Sequence, residues 1–356
     1  MSNGIYRIGA IIPQSGTAGI YGPSCKSCLT LAQNEINEKG GISGHRVEIA
    51  YIDGNKPASV IGREVQTLLD TKALHALIGM HDSDIRKTVA HVNKGRVIYI
   101  YTPGFEGGHR ADGLICFGET PSQQIRPAME WLRKSKSIKS WCFIGSDFSW
   151  PRQLRTYLKT IAKQADIEIK ETYFVEPGTT RFGEYLDGME EAKPDAVFFA
   201  LVGDEAVQFN RSFGRREALK ETLRFGPLFE ENTLLAVGED NAQHLYTAGG
   251  YFSCLDSPEN IAFKEKYFYR SGANAPEINM LSVSSYSALH LLADILPSTR
   301  DYNVDRVMAK MQEREVSAPI GRMAFKDGSV CREIFMAEAI ENQLQIVNSF
   351  GSLQAY

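Results

Sequence analysis

The sequence predicts an α/β protein made of two similar lobes, each a parallel sheet covered by helices on both faces. Three observations predict it. Short apolar runs alternate with amphipathic stretches at regular spacing from Ile5 onward, the pattern of parallel strands joined by crossover helices. The pattern pauses around Phe117-Gly-Glu-Thr-Pro-Ser122 and then restarts. The 356 residues suffice for two domains that each bury a core.

Residues 5–12 read as a buried strand and residues 13–23 as a turn-rich loop. Residues 24–38 have helical spacing, with Cys28, Leu31, Ala32, Glu35 and Ile36 at three- and four-residue steps, and Gly40-Gly41 stops the helix. A strand at 47–53 and a helix at 58–70 follow. The apolar run 74–78 ends at Gly79, and a helix begins near Asp84 with Ser83 at its N-cap. A fourth strand, 96–101, ends at Thr102-Pro103. In the second half, helices at 123–135, 151–164, 182–192 and 205–213 alternate with strands at 140–144, 167–174, 195–201 and 224–229. This order breaks off near 246–252. Residues 258–311 are mostly helical. The tail, 322–325 and 334–346, reads as strands with a turn at Lys326-Asp-Gly328.

A composition of 43% hydrophobic and 23% charged residues is that of an ordinary globular chain. Net charge is −4, so no basic excess points to nucleic acid or an anionic membrane surface. No apolar stretch approaches the roughly 18 residues a spanning helix needs. Met1-Ser-Asn-Gly runs almost directly into a strand, with no signal-peptide pattern. The expectation is a cytosolic chain, or one that starts at a mature N-terminus behind a new Met. Of six cysteines, Cys25 and Cys28 form a CxxC inside a helix pattern, where core packing is expected rather than redox chemistry. Scattered single thiols favour a reducing compartment.

Catalytic signatures are absent. Gly104-Phe-Glu-Gly-Gly108 has neither nucleotide-binding spacing nor a following Lys-Ser/Thr, and no G-x-S-x-G elbow occurs. The seven histidines show no metal-ligand spacing. No cofactor and no metal are expected. The strand end before Ser83 instead exposes backbone N–H groups at a helix start. Small ligands sit outside the carboxyl ends of such strands, so this loop is expected to form one wall of a small-molecule site.

Ser15-Gly16, Tyr21-Gly22 and Asn34-Glu-Ile-Asn-Glu-Lys-Gly-Gly-Ile-Ser-Gly44 together resemble the opening of type I periplasmic solute-binding proteins of the branched-chain amino acid family. Gly79 through Arg86-Lys87, Gly145-Ser-Asp-Phe-Ser-Trp-Pro-Arg152, Gly203-Asp204, Tyr251-Phe252…Ser257-Pro258 and Ala318-Pro-Ile-Gly321 resemble its amide and urea branch. That branch includes transport receptors and a cytosolic amide sensor. The match runs from about Ile5 to Glu338, carried by the order of many short motifs.

The resemblance implies two lobes joined by three hinge crossovers, with ligand held in the cleft between them. Residues 1–119 and 251–321 would form one lobe, 120–250 and 322–356 the other. Ser83 matches the position that holds the ligand's polar head, and His81 would line the wall beside it. Thr102, with Tyr101 and Pro103, matches the second strand end. Phe148 and Trp150 fall on two positions that relatives fill with Tyr, and Tyr21 aligns with a loop aromatic near the ligand's tail. Glu231 lies near the acid that receives an amine or amide N–H, with Asp204 a second candidate. The expected function is therefore a non-enzymatic, substrate-binding component of an ABC importer, taking a small amide, urea-like or amino-acid solute in the periplasm and presenting it to a membrane permease. The alternative is a cytosolic amide sensor controlling a regulator protein. Phe148 and Trp150 depart from the usual tyrosines, and the histidine-rich tail stretch of urea and amide receptors is replaced by Cys331-Arg-Glu. Both departures argue against urea or acetamide itself.

Overall fold

A computed structural model describes residues 4–108, 111–272, 274–296, 302–311, 314–326 and 329–354. Its strands fall into two sheets, confirming the α/β expectation. The first half supplies β1 (Ile5–Ile12), β2 (Arg46–Asp53), β3 (Ala76–Gly79), β4 (Ile98–Tyr101) and β5 (Leu114–Cys116). These pair in the order β2-β1-β3-β4-β5, parallel throughout. β3 and β4 are buried at every position, which is why they read as continuous apolar runs rather than alternating ones. Helices α1 (Gly22–Glu38), α2 (Ala58–Asp70) and α3 (Ser83–Asn93) connect them.

The second sheet begins after α4 (Pro121–Ser135), whose start is fixed by a reciprocal Thr120–Gln123 capping box. Its strands β6 (Ser140–Ser146), β7 (Glu168–Val175), β8 (Ala196–Ala200), β9 (Leu223–Phe225) and β10 (Leu245–Gly249) are parallel. They alternate with α5 (Ser149–Ala165), α6 (Gly183–Ala192), α7 (Asp204–Gly214) and α8 (Glu231–Val237). β9 is shorter than the expected strand over 224–229. Pro227 has no N–H to give a ladder, and Phe229 N–H turns back onto the Gly226 carbonyl (3.2 Å).

The chain then returns to the first lobe. In α9 (Pro258–Ser271), Arg270 reaches Glu38 of α1 (2.6 Å). α10 (Met280–Ile295) is apolar almost all round and correspondingly buried. His290 at its far end contacts Glu35 of α1 (3.0 Å). The Tyr302 hydroxyl, just ahead of α11 (Val304–Met311), accepts from Ile98 N–H (2.9 Å) and donates to the His75 carbonyl (2.8 Å).

The tail completes the second sheet. β11 (Glu315–Ala318), β12 (Gly321–Lys326) and β13 (Ser329–Ile340) form an antiparallel run, and β13 also pairs β10 and β14 (Gln343–Leu353). Two expectations change here. β11 falls within 251–321, the stretch expected in the first lobe, yet it pairs with β12 in the second sheet. The single strand expected over 334–346 is a hairpin, turning at Glu341 and Asn342, which both take left-handed φ (48° and 59°). Asp327 and Gly328 of the expected turn lie outside the described residues.

The crossovers are sewn together. Glu119 Oε1 accepts from Gly250 N–H (3.1 Å) and from the buried Arg332 guanidinium (3.1 Å), which also donates to the Phe117 carbonyl. Cys25 and Cys28 are fully buried free thiols packed in the core, as expected.

Candidate functional site

A cavity of about 250 Å³ opens where the carboxyl ends of both sheets face each other. The first lobe contributes Pro13, Tyr21 and Asn55 from the loops after β1 and β2, Met80 to Ser83 after β3, and Tyr101, Pro103 and Gly104 at the end of β4. The second contributes Phe148 and Trp150 after β6, Pro177 after β7, Val202 and Glu205 after β8, and Leu228 after β9. Leu281 of α10 also lines it. Of the ten residues expected at the site, the fold gathers Ser83, His81, Tyr101, Pro103, Tyr21, Phe148 and Trp150 around this one space.

On the first wall, Asp82 and not Ser83 caps α3, accepting from Ile85 N–H (2.8 Å). A carboxylate at the cap satisfies the helix start and answers its positive end. Ser83 therefore sits one residue inside the helix, and its hydroxyl donates to Glu106 (2.9 Å). Glu106 is held in turn by both Nη atoms of Arg86 (3.1 and 2.9 Å). Arg86 and Glu106 are sealed from solvent, at 0% and 3% side-chain exposure. The guanidinium lies against the Tyr101 and Phe105 rings, and it holds the Glu106 carboxyl below the usual range against the opposing effect of burial. His81 is neutral, since burial drives it down to about 3. Its Nδ1 faces the Asp82 carbonyl (2.9 Å) and its Nε2 the Tyr99 hydroxyl (2.9 Å). That arrangement assigns the proton to Nδ1.

On the second wall, Phe148 and Trp150 stack at 6.4 Å between ring centroids. Glu205, in the first turn of α7, accepts from the Ser146 hydroxyl and from Gly178 N–H (2.6 Å). Burial raises its proton affinity above the ordinary carboxyl value.

Three expected residues lie elsewhere. Thr102 is buried and does not line the cavity; its N–H (2.8 Å) and its hydroxyl (3.2 Å) both donate to the Gly79 carbonyl as the β3–β4 ladder continues. Asp204 is exposed while its neighbour Glu205 is turned inward. Glu231, the first residue of α8, reaches the crossover after β10, where it accepts from Ser253 N–H (2.7 Å), and burial pushes its carboxyl up to about 8.

The lobes are also bonded directly across the opening. The Tyr21 hydroxyl accepts from Gly203 N–H (2.8 Å), Lys87 Nζ meets Ser149 Oγ (2.6 Å), and Gln153 Nε2 donates to Glu106 (3.2 Å). Sequence reasoning missed Glu106, Glu205 and this clasp. A signal existed for Glu205: it heads the stripe Glu205, Phe209 and Phe213, four residues apart on the buried face of α7. Nothing in the sequence marked Glu106. Among the described residues no cluster of His, Cys, Asp or Glu is arranged to hold a metal.

Two parallel-sheet lobes closing strand ends over a small cavity define a type I solute-binding fold. The chain belongs to the periplasmic binding protein family, whose model matches residues 5–343. Members of that family bind solutes rather than catalyse reactions, and this chain is a solute-binding protein and not an enzyme. It is similar to the Leu/Ile/Val-binding protein homolog 3 of Brucella melitensis, 23% identical over 292 residues, 80% of this chain and 77% of that one. Among solved structures, an R. palustris solute-binding protein in complex with 4-hydroxybenzoate superposes with a TM-score of 0.87 at 18% identity, covering 98% of this chain and 97% of that one. LivJ of Streptococcus pneumoniae in complex with isoleucine gives 0.85 at 18% identity, over 98% and 99% of the two chains. No helix among the described residues is long and apolar enough to cross a membrane.

Proposed function

We propose that this protein captures a small amide, urea-like or amino-acid solute between its lobes in the periplasm and delivers it to an ABC permease. The observation that supports this reading is the cavity itself. It is small, largely apolar, lined from both sheets, and spanned by hydrogen bonds that only the closed arrangement allows. Lobes that swing about the crossovers at Glu119 and Gly250 would expose these groups to water and re-form the bonds around a guest. The polar groups of Ser83 and Glu205 suit a guest with a hydrogen-bonding head, and Phe148 with Trp150 suits an apolar body.

A thermal-shift screen over amides, ureas and amino acids tests the reading. A specific binder raises the melting temperature, and the stabilisation grows with the logarithm of its concentration over Kd. No shift with any of these classes would refute it. A second reading, a cytosolic sensor that passes the closed state to a regulator protein, is favoured by the six unpaired thiols. Fractionation of the producing cells separates the two: recovery with the periplasmic contents supports transport, and recovery with the cytosol supports sensing.

A further inference from the structure

We propose that the outer face of α4 and α5 is a docking surface for the headgroup layer of an anionic phospholipid bilayer. The inference stands apart from the receptor reading, which it would serve by holding the protein in the plane of its permease.

The two helices lie on one side of the second sheet. Met129 and Leu132 of α4 share a core there with Leu154, Leu158 and Phe198, and Arg126 of α4 donates to Gln164 of α5 (3.1 Å). Helices α6, α7 and α8 pack into the core on the opposite side. Turning the apolar stripe of each helix inward leaves its polar residues outward, and on α4 and α5 these are mostly of one sign. α5 carries Arg152, Arg155, Lys159 and Lys163 and no acid. α4 carries Arg126, Arg133 and Lys134 against one acid, Glu130, and Lys136 follows directly. Arg133, Lys134, Lys136, Lys159 and Lys163 are exposed and have no carboxylate partner among the described residues. Arg152 is already paired with Asp147. Exposed Glu130 and Asp166 offset the five unpaired bases only in part. On the opposite side, α6 carries Glu184, Asp187, Glu190 and Glu191 and no base. The net charge of −4 therefore hides a lobe with one positive face.

Bases one helical turn apart lie about 6 Å from each other, inside the Debye length of roughly 8 Å at physiological salt. They act on a charged plane together, and high salt should cancel the attraction. The side chains favour a lipid layer over a nucleic acid. Four of the five unpaired bases are lysine, a strongly hydrated point charge suited to diffuse attraction toward a phosphate layer rather than to bidentate reading of base edges. Trp131 and Tyr157, half-buried on α4 and α5, set amphipathic rings among these bases, and such rings settle at headgroup level.

The test is co-sedimentation of the full chain with vesicles of phosphatidylcholine alone and of phosphatidylcholine mixed with phosphatidylglycerol. At ~0.05 M salt the mixed vesicles should retain ~10-fold more protein than the neutral ones, and ~0.5 M salt should release it. Combining Lys134→Glu, Lys159→Glu and Lys163→Glu should cut this retention roughly fivefold or more without moving the melting temperature. Arg211→Glu with Arg215→Glu, on the opposite side, should leave retention as it was. Equal retention on the two vesicle types, or retention indifferent to salt or to the triple substitution, would overturn the inference and leave the receptor reading untouched. Tighter binding of a short DNA duplex than of the mixed vesicles would overturn it in favour of a nucleic-acid partner. Should the triple variant fail to fold, the wild-type lipid and salt series decides by itself.

Discussion

Ser83 shares its hydroxyl with Glu106 rather than holding it free for a guest. Because Glu106 keeps two bonds from Arg86, Ser83→Ala leaves the buried ion pair in place and removes one hydrogen bond to the carboxylate, acting on the guest only through the wall it shapes. Its expected cost to solute binding is about 0.5–1.5 kcal/mol, roughly a 2- to 12-fold rise in Kd by calorimetry. An unchanged Kd would place the polar head elsewhere. Glu231 makes a different prediction. Its carboxyl is lifted from the ordinary 4.5 to about 8 by burial, so the folded chain binds its proton more tightly than the unfolded chain does. Stability therefore falls as pH rises from about 4.5 through about 8, by at most about 1.4 kcal/mol per pH unit. Glu231→Gln should melt higher than the native chain at pH 9 and match it at pH 5; equal melting at both would deny this acid its part. Which acid faces the cavity was only half legible in the sequence. The motif drew attention to Asp204, whereas the four-residue stripe through Phe209 and Phe213 turns Glu205 inward. Glu106 was invisible because its partners stand 20 and 23 residues away in the chain, and no periodicity relates a loop residue to a helix at that distance.

At the scale of elements, the parallel strands were the most legible part. Buried parallel strands are apolar throughout, and β3, β4 and β8, with the second half of β1, stand out for that reason. The tail was less so, since its two antiparallel strands are joined by only two residues, Glu341 and Asn342, with neither glycine nor proline to mark the turn. The loop from β8 to α7 carries the sharpest steric constraint at the cavity. Gly203 takes φ 53°, and a Cβ there would meet the Thr17 carbonyl oxygen of the other lobe at 2.0 Å. Gly203→Ala would push the lobes apart at the point where Tyr21 accepts from Gly203 N–H. The expected outcome is an otherwise folded protein, destabilised by about 1–2 kcal/mol from the left-handed backbone, with solute affinity reduced at least ~10-fold. Small-angle scattering should show it remaining open at solute concentrations that close the native chain. A native scattering profile with native affinity would contradict that account.

For the molecule as a whole, the two lobes are built from interleaved stretches of chain, so their relation depends on contacts between distant residues. Gln123 of α4 donates to the Val330 and Leu353 carbonyls (both 2.8 Å), and Arg332 reaches back to Glu119 and Phe117. The antiparallel edge β13 lies against β10 and covers backbone groups that would otherwise be open to pairing with another molecule. On the ribosome, this means that more than 200 residues separate Glu119 from the arginine that neutralises it. Until the tail emerges, the nascent chain carries an unpaired sheet margin. A stop codon after Ile320 should therefore yield an insoluble product rather than a looser receptor, and co-expression of the missing 321–356 segment should restore soluble protein. A soluble, monomeric truncation would show that the first 320 residues need no such late seal.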